Sequence, residues 1–483
     1  MSDRPRQELE LSSDDFTKLI LEALPLLAEH LDGLSARPAS RPLPEGQVLA
    51  GLAEGLPTEP TSYAQLLKTL FHELLPWGYE TAGPGYLAFM PSGGILHAAV
   101  ADLLTAAINR YVGVWAASPG LAELEAQVLR WFGEMLGMPS STRGFLASGG
   151  SIANFSAVIA ARHHLLGEEL AGGTAYGSDI AHHSMLKAMM LAGFPQRAVR
   201  ELPSDERYRL CPERVRKQVR EDRAAGLRPF LLIASAGTTL TGTIDPLEEL
   251  AEVAREERLW LHVDAAYGGF FALTQRGRHL LRGIEAADSV TLDPHKSLFL
   301  PYGTGALLVR HGEVLRAAHQ THGQRYSPRQ GASERIDFCE HSPELSREAR
   351  GLRVWLPLRM HGVTPFRDCL DEKLELTQWL VARLAELPEL ELVLDPPLTV
   401  VVLRWRPAWC ASDGDALDAL NRELLAAVNA KGRVLLIGVT LRGRFVLRIC
   451  VLSFRTHQAE LAHAVEDLRA ALAELRAKRE AAC

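Results

Sequence analysis

Lys296 closes the run Asp288-Ser-Val-Thr-Leu-Asp-Pro-His-Lys296, in which an apolar strand and a tight polar turn deliver a single amine. In a closed pocket the ammonium form loses solvation, and the neutral amine can condense with an aldehyde as a Schiff base. That is the anchoring chemistry of pyridoxal phosphate; an ordinary solvated lysine fits the same local pattern. Asp264 ends a second apolar run, Leu259-Trp-Leu-His-Val-Asp264, at the carboxyl edge where open α/β sheets bind ligands. A buried carboxylate needs a cationic partner. A pyridinium nitrogen is one, and keeping it protonated makes the ring an electron sink; capping of the next turn is the plainer alternative. Ala265 and Ala266, just beyond, are small enough for a planar ring to lie against the backbone.

A third unit, Gly144-Phe-Leu-Ala-Ser-Gly-Gly-Ser-Ile-Ala-Asn-Phe155, reads as strand, glycine turn and helix, with Ser151 as N-cap and Ile152, Phe155 and Ile159 as the helix core face. Amides at Gly150 and Ser151, with the helix dipole behind them, suit a phosphate; a plain structural turn has the same composition. His182, His183 and His295 have no metal-ligand spacing, and no metal is expected. A histidine ring at a cofactor edge can stack or exchange protons near neutral pH, and a structural histidine is the alternative.

The elements that must hold these groups read as α/β. Between residues 84 and 363, short apolar runs at 143–147, 230–234, 259–263, 289–292 and 304–309 alternate with helical periodicity, which predicts βαβ units and a mostly parallel central sheet covered by helices. Residues 1–83 read as helix, proline-rich arm and helix, lying either across a second subunit or back over their own chain. Residues 364–483 read as a separate α+β domain. At 483 residues, 47% hydrophobic and 23% charged, the chain has ordinary globular composition. A net charge of −7 without a long basic run argues against nucleic-acid or anionic-membrane partners and for a small molecule. Met1 to Phe16 lacks a signal-peptide pattern and no window reaches a membrane span, so a cytoplasmic protein is expected. The cysteines show no paired short spacing, and reduced thiols are expected.

Taken together, Ser148-Gly-Gly-Ser151, Ser178-Asp-Ile-Ala-His182, Gly237-Thr-Thr239, His262-Val-Asp-Ala-Ala-Tyr267 and Asp293-Pro-His-Lys296 resemble the pyridoxal-phosphate-dependent group II decarboxylases, most of all the aromatic L-amino-acid decarboxylases. The resemblance runs from the N-terminal arm to Leu447-Arg-Ile-Cys-Val-Leu-Ser-Phe-Arg-Thr456. It implies a fold type I homodimer with shared active sites, in which Lys296 carries pyridoxal 5'-phosphate, His182 stacks on the ring and Asp264 pairs with the pyridine nitrogen. Gly150 and Ser151 match the phosphate cup with His295 nearby, and Thr239 matches a residue close to the pyridine end. The implied reaction converts an L-amino acid to its amine and carbon dioxide.

Departures from the family pattern bear on the chemistry. Phe89, Met90, Pro91 and Ser92 match the segment lining the side-chain pocket, but Gly113 stands where a bulky Phe is usual and Tyr111 where an aliphatic residue is. An apolar pocket with reshaped walls is expected, favouring aromatic or large hydrophobic substrates. In the mobile loop expected at 325–345, which in the family enters the neighbouring subunit's active site, the usual Asp-Tyr pair is Asp337-Phe338; an ungapped match to Trp355 in Gly351-Leu-Arg-Val-Trp355 anchors the register. Phe cannot supply the proton that the family assigns to the Tyr hydroxyl. Either His341 or a water substitutes, or the carbanion is diverted to oxygen as in aldehyde synthases. A non-catalytic cofactor-binding protein is a third reading. Asp293 replaces an Asn beside the phosphate, and is expected to face away from it or to bond backbone amides.

Overall fold

The large sheet has seven strands: β1 (Arg143–Ala147), β2 (Gly173–Ser178), β3 (Val199–Leu202), β4 (Arg228–Ser235), β5 (Trp260–Asp264), β6 (Ser289–Leu292) and β7 (Gly305–Val309). They lie in the order β1-β7-β6-β5-β4-β2-β3 in a computed structural model that describes residues 9–43, 52, 55–320, 335–410 and 414–481. Only β7 runs against its neighbours; the pairs from β3 across to β6 are parallel. Every residue of β5, β6 and β7 is buried, so both faces of the sheet are covered. This is the fold type I arrangement that the resemblance implies.

Two strands, β2 and β3, escaped the sequence reading. Gly173-Thr-Ala-Tyr-Gly-Ser178 has no apolar run, yet all its residues are buried because β3 and β4 flank it. Nor is the helix after β1 built as its pattern suggested. It spans Gly150–Leu166 with Gly149 as its extended N-cap, so Ser151 sits inside the first turn and does not cap. Most of its fully buried residues are small, among them Ala153, Ala157, Ala160 and Ala161, whereas Ile152, Phe155 and Ile159 pack at the core's margin. Close seating over β4 to β7 selects small side chains there.

A second sheet comprises β8 (Leu390–Leu392), β9 (Val400–Trp405), β10 (Ile437–Leu441) and β11 (Arg444–Cys450), antiparallel in the order β8-β9-β11-β10. Helices Thr364–Leu384, Asp415–Asn429 and Gln458–Glu480 build a second core with it, centred on Leu380, Leu403, Trp405, Leu420 and Leu468. Leu87 joins that core and Tyr86 bridges to Leu435, tying the segment before the large sheet to this unit.

Near the N-terminus, helix Ser13–Asp32 has no buried residue. Helix Tyr63–Lys68 continues as a π-helical stretch, Thr69–Leu74, and Leu66, Leu70 and Leu75 are exposed. Helix Leu96–Ile108 exposes Leu96, Val100, Leu103, Leu104 and Ile108, one continuous stripe at helical spacing. No helix among the described residues is long and apolar enough to cross a membrane.

Candidate active site

Parallel strands put their carboxyl ends on one side, and each connecting turn opens there. Ser148 to Ser151 follow β1, His182 follows β2, Thr239 follows β4, Asp264 ends β5, and Lys296 lies in the helical turn Pro294–Ser297 after β6. All of them, together with Gly150, Ala266 and His295, border one cleft of about 380 Å³. Segments separated by more than a hundred residues thereby meet at the edge where open α/β sheets take ligands. A close approach shapes its floor: a Cβ at Gly150 would stand 2.9 Å from Asp293 Oδ2, and one at Gly305 would stand 2.5 Å from the Gly149 carbonyl carbon.

Lys296 does not sit there as a neutral amine. Burial, the largest single influence, disfavours its charge, but Asp293 and Asp264 outweigh it and hold the ammonium above the ordinary lysine value. Nζ lies 2.9 Å from Asp293 Oδ2. Asp293 therefore faces the cleft, contrary to the expectation that it turns away; the lysine one turn along supplies the countercharge that makes this tolerable. Its other oxygen, Oδ1, is buried with no hydrogen-bond partner, and His295 Nε2 lies 3.6 Å from Oδ2. Burial pushes the His182 and His295 rings below the usual histidine range, so both are neutral at neutral pH.

Asp264 is held on both oxygens. Oδ1 accepts from the Ala266 amide at 3.1 Å and Oδ2 from Asn154 Nδ2 at 3.0 Å. Asn154 also donates to Ser184 Oγ at 2.9 Å, and Ser184 Oγ lies 2.7 Å from His182 Nδ1. Neither Asn154 nor Ser184 stands out by residue type; their signal is position, Asn154 one turn into the glycine-led helix and Ser184 two residues after His182.

The pyridoxal-dependent decarboxylase conserved domain matches residues 45–406, most of the chain. The chain belongs to the pyridoxal-dependent decarboxylase family. The aromatic-L-amino-acid decarboxylase of Bacillus atrophaeus is 32% identical over 97% of this chain and 98% of its own. The structure of Oryza sativa TDC with PLP and tryptamine superposes with a TM-score of 0.92 at 27% identity, covering 98% of this chain and 100% of that one. The structure of Rhodiola rosea 4-hydroxyphenylacetaldehyde synthase does so with a TM-score of 0.87 at 25% identity, covering 98% and 99%. The decarboxylase is a carboxy-lyase and its cofactor is pyridoxal phosphate.

The residues of the cleft fit that cofactor. An amine, a carboxylate fixed by two donors, and a glycine turn at a helix N-terminus, whose first amides have no carbonyl one turn back, match the aldehyde, ring nitrogen and phosphate in kind. Other residues expected at the site of the decarboxylase lie elsewhere in this chain. Phe338 is fully buried, with the Arg347 guanidinium 4.7 Å from its ring centre. His341 is buried, and its Nδ1 donates to the Asp337 carbonyl at 2.9 Å. Neither borders the Lys296 cleft. Of the loop expected at 325–345, residues 325–334 lie outside the described residues.

Phe89, Met90, Pro91 and Ser92 do not line the cleft either, but they approach it: Met90 Sδ is 3.7 Å from Cys450 Sγ, and Cys450 is close enough to Lys296 to influence its charge. Phe89 is half exposed, its carbonyl accepting from Arg448 Nη1 at 2.7 Å. Tyr111 and Gly113 form a compensating pair. A Cβ at Gly113 would collide with the Tyr111 hydroxyl and come within 2.5 Å of the Leu345 carbonyl, to which Tyr111 donates at 3.0 Å. The tyrosine ring thus fills the space that a side chain at 113 would take.

Proposed function

We propose that this decarboxylase acts on an L-amino acid with an aromatic or large hydrophobic side chain and yields the amine and carbon dioxide. The observation that carries this reading is the charge inventory of the cleft: among the described residues lining it, Lys296 is the sole lysine or arginine. Nearby Arg448 is fully buried and spends its donors on the Phe89 and Thr239 carbonyls, so neither cation is left to grip an acidic side chain. Similarity to a decarboxylase named for aromatic amino acids points the same way.

Pyridoxal phosphate, when bound, supplies the electron sink for the bond to the departing carboxylate. In this reading Lys296 would hold the cofactor covalently, and Asp293 Oδ2, 2.9 Å from Nζ, would accept the proton its ammonium must give up. Asp264 would hold a proton at the ring nitrogen, the Gly150 and Ser151 amides would bind the phosphate, and His182 and Ala266 would flank the ring. Thr239 would border the pyridine end and His295 the phosphate.

The active unit is a homodimer with shared sites. Residues 1–83 form an arm that wraps the second copy, 84–363 the cofactor domain and 364–483 the α+β domain. Support comes from the arm helix without a buried residue and from the apolar stripe on Leu96–Ile108. A second copy would also bring the exposed Tyr111 toward a cleft that it does not reach in its own chain.

One sequence observation favours a second reading. With Phe338 in place of Tyr, substrate, dioxygen and water would give an aldehyde, carbon dioxide, ammonia and hydrogen peroxide. Carbon dioxide, amine and peroxide measured together over a panel of amino acids decide between the two. Amine equal to carbon dioxide is expected; peroxide equal to carbon dioxide would establish the oxidative route. In that case Phe338→Tyr should suppress peroxide, and an unchanged product ratio would mean another group controls the branch.

A further inference from the structure

Trp260, His262 and Asp264 occupy alternate positions of β5 and so share one face of the sheet, the face crossed by the Gly150–Leu166 helix that carries Asn154. A hydrogen-bonded chain runs the length of the strand on that face. Trp260 Nε1 lies 2.8 Å from Ser289 Oγ, Ser289 Oγ 2.8 Å from His262 Nδ1, His262 Nε2 3.1 Å from Asn154 Oδ1, and Asn154 Nδ2 3.0 Å from Asp264 Oδ2. All five residues are buried.

The direction of every proton in this chain is fixed by its ends. An indole nitrogen only donates and a carboxylate only accepts. Asn154 must therefore turn its amide nitrogen to Asp264 and its oxygen to His262, which must carry its proton on Nε2. His262 Nδ1 then accepts from the Ser289 hydroxyl, whose oxygen accepts from Trp260. The four dipoles align toward Asp264. The second N–H of Asn154 goes to Ser184 Oγ, and Ser184 donates both its hydroxyl and, at 3.3 Å, its amide to His182 Nδ1. That leaves the proton of His182 on Nε2 as well. Burial holds His262 neutral, its pKa pushed down to about 4, in keeping with a ring that transmits a dipole and takes up no charge.

We propose that Asn154 is a positioning residue that ties the acid facing the pyridine nitrogen to the histidine facing the ring, and that the relay Trp260–Ser289–His262 behind it keeps Asp264 aimed into the cleft. The proposal rests on the cofactor and is independent of which amino acid is the substrate.

Histidine tautomers in the 15N-labelled apoenzyme at pH 7 test it without turnover. His262 and His182, assigned by their loss in His262→Asn and His182→Asn, are expected to be protonated at Nε2 only; a proton on Nδ1 of His262 would overturn the relay. Reconstitution with pyridoxal phosphate gives the second readout. Ser289→Ala should weaken cofactor affinity severalfold and mix the His262 tautomers, while Ser289→Thr, which keeps the hydroxyl, should restore both. Asn154→Leu should weaken affinity about ten- to a hundredfold, the range of a lost hydrogen bond to a charged group. If Ser289→Ala lowered only the melting temperature and left tautomer and affinity unchanged, the relay would be structural and the proposal wrong. Should wild-type chain show the expected tautomers yet fail to bind pyridoxal phosphate, the cofactor assignment would be at fault and not the relay.

Discussion

Lys296 meets its partners charged because two carboxylates outweigh its burial, with Asp293 nearest at 2.9 Å. Removing Asp293 leaves burial as the dominant influence and should drop the lysine pKa, each unit raising the neutral fraction about tenfold at a pH below it. Asp293→Asn apoenzyme is therefore expected to react several times faster than wild type with an amine-selective reagent at Lys296 near pH 7; an equal rate would show that Asp264 alone sets the charge. Buried histidines carry an opposite consequence. His182, His262, His295, His319 and His341 are all held below the ordinary histidine range by burial. Between pH 6.5 and 4 the unfolded chain therefore binds protons that the folded chain refuses, and stability must fall as pH falls. His262 alone, shifted to about 4, accounts for roughly 3 kcal/mol of that loss. Apoenzyme melting temperature followed from pH 7 to 4 should decline steadily, and a flat profile would place these rings in water.

At the scale of elements, three pieces distant in sequence are clamped by one ion pair. Arg347 and Glu125 meet at 2.8 Å with both side chains fully buried. Glu125, on helix Pro119–Met135, also accepts from the Leu146 amide of β1, whose carbonyl accepts from Arg347 at 2.6 Å, and the Phe338 ring lies against the guanidinium. Arg347→Met would strand the Glu125 charge and should cost about 3–5 kcal/mol in chemical denaturation; adding Glu125→Leu should recover most of it. The same clamp bears on Phe338→Tyr. A hydroxyl placed in that packed site needs a partner or costs about 1–3 kcal/mol, so stability and product ratio must be measured on the same protein. Legibility follows element type. β1 and β6 were readable to the residue from their apolar runs, whereas β2, made of small and polar residues, is a strand only because of its neighbours.

For the molecule as a whole, the exposed apolar stripe on Leu96–Ile108 and the arm helix without a buried residue are the surfaces a second copy would cover. Charge placed in the stripe, as Val100→Asp with Leu103→Asp, is expected under the proposed shared-site dimer to halve the sedimenting mass and to abolish decarboxylation. A monomeric variant that kept full activity would show that each cleft is complete in one chain.

Some of this was decided by residue type and short spacing alone. A lysine, an aspartate and a glycine pair at strand ends announce their positions through patterns of five to twelve residues, because a parallel strand and its turn are local objects. From these followed the sheet, the cofactor and the family. Tertiary structure decided what those groups are in electrostatic terms. The charge on Lys296 depends on a cleft-facing Asp293, the aim of Asp264 on an Asn154 that lies 110 positions earlier in the chain, and the room for Tyr111 on a carbonyl at Leu345, 234 positions later. Protonation and orientation depend on the nearest neighbours in space, and a linear pattern does not contain them.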